Sequence, residues 1–81
     1  MQVKLLLFAI LRDIVGKPEL EINLPEGSRA VELWEMLREE HLELSTHTRP
    51  PMTAINEEYV PPETSLKDGD EVAFIPPVSG G

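Results

Sequence analysis

The amino-acid sequence predicts an α+β domain in which one mixed sheet carries one main helix packed across one face. Three observations predict it. Segments near both chain ends alternate apolar and polar residues with the period of two that a strand needs. Between them, Ala30, Leu33, Trp34 and Leu37 recur at the spacing of a helix stripe. Gly16, Pro18, Pro25, Gly27, Pro61, Pro62 and Gly69 fall between these segments, where turns belong. Eighty-one residues, 41% of them hydrophobic, make one domain with one compact core.

Taken in order, residues 2–9 have strand composition. Val3, Leu5, Leu7 and Ala9 share one face, and Lys4, Leu6 and Phe8 share the other. That second face is too apolar for open water, so it predicts a surface that something covers. Ile10, Leu11, Ile14 and Val15 pair at i, i+4 across Arg12-Asp13, about one helical turn, and Gly16 is placed to end it. Residues 19–24 turn Leu20, Ile22 and Leu24 inward against Glu19, Glu21 and Asn23 outward, until Pro25-Glu26-Gly27 stops the strand.

Ser28 is the expected N-cap of the main helix, with no Glu or Gln at N3 to complete a capping box. Glu32, Glu35, Arg38 and Glu39 lie off the apolar stripe, and Trp34 belongs to the core. Residues 42–51 are polar, end in prolines and read as a loop. Met52–Ile55 is a short strand, Asn56-Glu57-Glu58 a turn, and Tyr59-Val60 a brief return strand. Leu66 plugs the core ahead of an Asp68-Gly69 turn.

The final strand sets Val72 and Phe74 against Ala73 and Ile75, so one pair faces the core and the other faces outward. Pro76 and Pro77 have no N–H to give a ladder, so the strand stops there and the chain stays extended. Residues 1–75 thus form the domain, and residues 76–81 form an extended tail ending in Gly80-Gly81. The first and last strands are not joined by a hairpin; if they are neighbours in the middle of the sheet they can run parallel, with the helix serving in the crossover. Strand, strand, helix, strands is the β-grasp pattern of ubiquitin-like domains.

Composition removes several classes of function. The formal net charge is −8, which repels nucleic acid phosphates and anionic lipid and suits a partner with a basic face. No stretch approaches the length of a membrane span and nothing resembles a signal peptide, so a cytoplasmic location is expected. There is no cysteine, hence no disulfide, thiolate metal site or cysteine nucleophile. His41 and His47 lack a carboxylate arrangement that would make them metal ligands. Ser28, Ser45, Ser65 and Ser79 have no recognisable base partner, and the carboxylates read as solvated faces. Lys4, Lys17 and Lys67 show no setting that marks a catalytic amine. The chain is therefore not expected to catalyse alone.

The group in a specialised setting is the C-terminal carboxylate. A carboxylate is a poor electrophile until a leaving group replaces its charge, and adenylation by ATP supplies one. Glycine suits this, because Gly80 and Gly81 can enter a channel too narrow for any Cβ. The activated end is then joined to an amine or takes up sulfur as a thiocarboxylate.

The motifs here are Phe8-Ala9-x-Leu11-Arg12-Asp13 with Gly16, then Ile55-Asn56-x-Glu58-Tyr59-Val60. The most specific is Leu66-x-Asp68-Gly69-Asp70-Glu71-Val72-Ala73-Phe74-Ile75-Pro76-Pro77-Val78-Ser79-Gly80-Gly81. Through them the chain resembles, over essentially its whole length, the small sulfur-carrier subunits of molybdopterin synthase. The resemblance implies that Gly81 is adenylated by an E1-like activating enzyme that uses ATP, then thiocarboxylated to 1-thioglycine from a sulfur donor protein. It implies that the tail, Pro76, Pro77, Val78 and Ser79 included, enters the large synthase subunit. There sulfur passes to cyclic pyranopterin monophosphate, on an active site expected in that subunit. It further implies a heterotetramer, docking through Phe8, Tyr59 and Ile75, and no bound cofactor or metal. Three alternatives stay open: a carrier for thiamine or another thiolated product, a modifier forming isopeptide bonds, and a non-covalent module with an inert tail.

Overall fold

The computed structural model describes residues 1–47 and 50–77. Five strands form one sheet: β1 (Gln2–Leu7), β2 (Glu19–Asn23), β3 (Met52–Ile55), β4 (Glu58–Val60) and β5 (Glu71–Ile75), in the order β2-β1-β5-β3-β4. The central pair β1 and β5 runs parallel, and the other pairings are antiparallel. This is the β-grasp arrangement. A parallel pair cannot be closed by a tight turn, so the chain between β1 and β5 has to cross over, and the helices lie in that crossover.

Alternation places the core as the sequence predicts. Val3, Leu5 and Leu7 of β1 and Val72 and Phe74 of β5 are buried, and Leu20 and Ile22 of edge strand β2 pack half-buried beside them. The main helix α2 (Ala30–Glu40) lays Ala30, Leu33, Trp34 and Leu37 onto this face. The Trp34 ring meets Phe74 edge-on, with centroids 5.6 Å apart and planes at 79°, an arrangement worth about 0.5–1.5 kcal/mol beyond area burial. Leu66 is buried beside them, as predicted.

Four local expectations need correction. The first strand ends at Leu7, not Ala9: Phe8 becomes the N-cap of helix α1 (Ala9–Val15), and Ala9 takes a left-handed φ of 51° that turns the chain off the sheet. Gly16 closes α1 in the αL conformation at φ 89°, its N–H donating to Arg12 O at 2.7 Å. The N-cap of α2 is Arg29, one residue later than predicted. Ser28 Oγ instead donates to Pro25 O at 2.8 Å, and the shift makes Glu32 the N3 residue, whose carboxylate accepts the Arg29 N–H at 2.9 Å. That contact, with the Arg29 guanidinium at 3.2 Å, holds the Glu32 carboxyl below the usual carboxylate range, the backbone bond being the larger cause.

The region read as a loop contains a third helix, α3 (Leu42–His47), whose Leu44 is fully buried and caps the core beyond the end of α2. The turn before β4 has two residues, Asn56 and Glu57, both left-handed at φ 51° and 73°, so Glu58 joins the return strand opposite Ile55.

Candidate functional site

The helices cover one face of the sheet and leave the other bare. Residues that alternate with the core line this bare face. Cross-strand register sets Leu6 beside Ala73, Ala73 beside Ala54, and Ala54 beside Tyr59. A second row sets Ile75 beside Met52, and Phe8 stands one residue past the Leu7–Phe74 rung. Phe8 is 42% exposed, Met52 41% and Tyr59 68%, while Leu6, Ala73 and Ile75 are half-buried. Six apolar side chains on one open surface are left partly or largely exposed, and further burial against something else would be favourable.

The three residues implied for docking, Phe8, Tyr59 and Ile75, are thus brought onto one face. Phe8 arrives there as the cap of α1 rather than as a strand residue. Sequence reasoning missed Met52. Its strand was recognised, but which way Met52 points depends on its pairing with Ile75, and that is a long-range fact.

The other end of the bare face is charged. Lys4 pairs with Glu71 in register, and its Nζ lies 3.7 Å from Glu19 Oε1, an exposed ion pair of small energetic worth. So the apolar rows sit toward the end of β5 from which the tail departs.

The start of β5 is fastened from both sides. Asp70 Oδ2 accepts the Lys67 N–H at 2.8 Å, and Asp70 Oδ1 accepts Asn56 Nδ2–H at 3.0 Å. Asn56 Oδ1 accepts the Glu71 N–H at 3.0 Å, and the Asn56 N–H donates to Glu71 O at 2.8 Å. Asp68 Oδ1 accepts the Gln2 N–H at 2.8 Å, and Gly69, at φ 86°, donates to Gln2 O at 2.8 Å. These bonds fix β5 lengthwise, so Ile75 leaves the sheet at a set place. Pro76 and Pro77 follow it, both half-buried. Val78, Ser79, Gly80 and Gly81, the rest of the predicted site, lie outside the described residues.

Among the described residues no group of three or more His, Cys, Asp or Glu is arranged to hold a metal ion, and no helix is long and apolar enough to cross a membrane. The arrangement is an apolar face beside Pro76 and Pro77, where the sheet ends.

Residues 5–81 match the ThiS family. The molybdopterin synthase sulfur carrier subunit of Chlamydomonas reinhardtii is 41% identical over 83 aligned residues, covering all of both chains. Among solved structures, the small archaeal modifier protein 1 of Methanosarcina acetivorans superposes with a TM-score of 0.80 at 30% identity, covering 99% of this chain and 96% of that one. Subunit 1 of the molybdopterin-converting factor of Helicobacter pylori, solved as a complex with subunit 2, shares the fold with a TM-score of 0.65 at 23% identity and full coverage of both chains.

Proposed function

The chain belongs to the ThiS family, and from that membership we propose that it is the sulfur-carrier subunit of a molybdopterin synthase. The observation that carries this reading is the end-to-end match to a molybdopterin synthase sulfur carrier subunit. The geometry supports it from a second side: a bare apolar face adjoins the root of a tail that ends in two glycines.

The Gly81 carboxylate attacks the α-phosphate of ATP on an activating enzyme, and pyrophosphate leaves. Sulfur delivered by a donor protein at the sulfide level then attacks the acyl carbon, the carbon–oxygen bond to AMP breaks, and AMP leaves a terminal thiocarboxylate behind. The tail carries that sulfur into a large subunit, where it passes to cyclic pyranopterin monophosphate. The chain itself contributes position. β5 is locked at its base, the apolar rows seat the domain, and Gly80-Gly81 crowd nothing near the reacting carbonyl. The partnering of the Helicobacter pylori protein with its subunit 2 supports a large-subunit partner for a chain of this fold.

Likeness to an archaeal modifier protein favours a second reading, attachment of Gly81 to lysines of other proteins. Intact mass spectrometry after incubation with ATP, an activating enzyme and a sulfur donor separates the two. Exchange of one oxygen for one sulfur at the C-terminus supports the carrier. Lysine adducts on other proteins with no thiocarboxylate would overturn it in favour of the modifier.

A further inference from the structure

We infer that Pro50, together with Pro76 and Pro77, is a positioning residue that ends the sheet on both flanks of β5, so that residues 76 and 77 leave it unpaired; this rests on the sulfur-carrier reading. The assignment comes from following the hydrogen bonds rung by rung. On the β3 side, the Asn56 N–H donates to Glu71 O, which makes residues 56 and 71 a hydrogen-bonded pair. Such pairs recur at every second residue of an antiparallel ladder. The register Met52↔Ile75 makes that pair hydrogen-bonded too, and the next is residue 50 opposite residue 77. Both are prolines. A rung that would use two N–H groups has neither.

On the β1 side, the Lys4 N–H donates to Asp70 O at 2.9 Å, which sets the phase of the parallel ladder. Carried forward two rungs, the residue whose N–H would reach Phe8 O is residue 76. That residue is also proline, and Phe8 O is already taken by the Leu11 N–H at 3.1 Å, at the start of α1. Each flank of β5 therefore loses its donor where continued pairing would draw the tail onto the domain. Pro76 and Pro77 alone do not close the β3 flank, because an N–H at position 50 could still donate to Pro77 O. Pro50 removes it.

The test restores the missing rung in the full chain with Pro50→Ala and Pro77→Ala together. Amide hydrogen exchange at the two new N–H groups is expected to slow about tenfold or more against open-chain rates. Sulfur transfer from the charged carrier to its large subunit is expected to fall severalfold, with Pro50→Ala alone falling less and the distant Pro61→Ala unchanged on both measures. Pro50 is exposed, so the single variant carries the exchange measurement if the double one fails to fold. Open-chain exchange at the introduced amides would mean that no rung was being blocked, and the inference would be wrong. Protected amides with transfer at the wild-type rate would overturn it equally. A wild-type chain that never takes up sulfur would instead defeat the carrier reading, and the exchange result would stand apart from it.

Discussion

The two faces of one sheet are made from the same five strands and meet opposite fates. The face under α2 is packed from Val3 through Phe74 and is fully buried at Leu5, Val72 and Phe74. The other face carries apolar residues as well, Leu6, Ala73, Ile75, Met52 and Tyr59, and no element of the described chain lies over them. The difference is one of register alone: of two neighbours in the sequence, Phe74 is buried under α2 and Ile75 faces away from it. Hydrophobicity by itself therefore does not say which face holds the domain together. Only the position of α2 does.

That contrast can be broken experimentally. The largest effect is expected at neither face: appending one residue to Gly81 should abolish sulfur transfer while leaving the melting temperature in place, because the reacting carbonyl is displaced and no packing is touched. An active extended variant would detach the tail from the function. Next, Phe74→Ala should cost about 3–5 kcal/mol in denaturant unfolding, whereas Ile75→Ala, on the far side of the same strand, should cost roughly 1 kcal/mol. Equal losses would mean the faces are not distinct. Third, Phe8→Ala should weaken the large-subunit complex by roughly 1–3 kcal/mol by calorimetry, with the fold retained. Unchanged affinity would make Phe8 a bystander. The smallest effect concerns Glu32. Its carboxyl is held low in the folded state, so its contribution is present above the ordinary carboxylate pKa and lost as pH falls through the lowered folded value. The melting gap between wild type and Glu32→Gln should therefore narrow from pH 7 towards pH 3, and a gap that widens would reverse the sign.

Much of this was legible because it is periodic. The stripe of Ala30, Leu33, Trp34 and Leu37 and the alternation around Val72 and Phe74 name both the elements and the buried side. What escaped lacked a period. The six-residue α3 has only Leu42 and Leu44 as apolar residues, two apart, so nothing in their spacing announces a helix; Leu44 is drawn in by the hole beyond α2. The helix start moved by one residue because Ser28 found a carbonyl, Pro25 O, behind it instead of an amide ahead. Phe8 was placed on the correct face by the wrong element, since strand parity continues only until the backbone leaves the β region at Ala9. The residues implied for docking could be named from a resemblance, but placing Met52 beside them required knowing which strand lies beside β5.

Trp34 is the chain's single tryptophan, and its ring rests against Phe74, the residue before Ile75. The domain thus carries one native fluorophore on the reverse of its bare apolar face. Its emission reads the packing of α2 on β5 with no label attached.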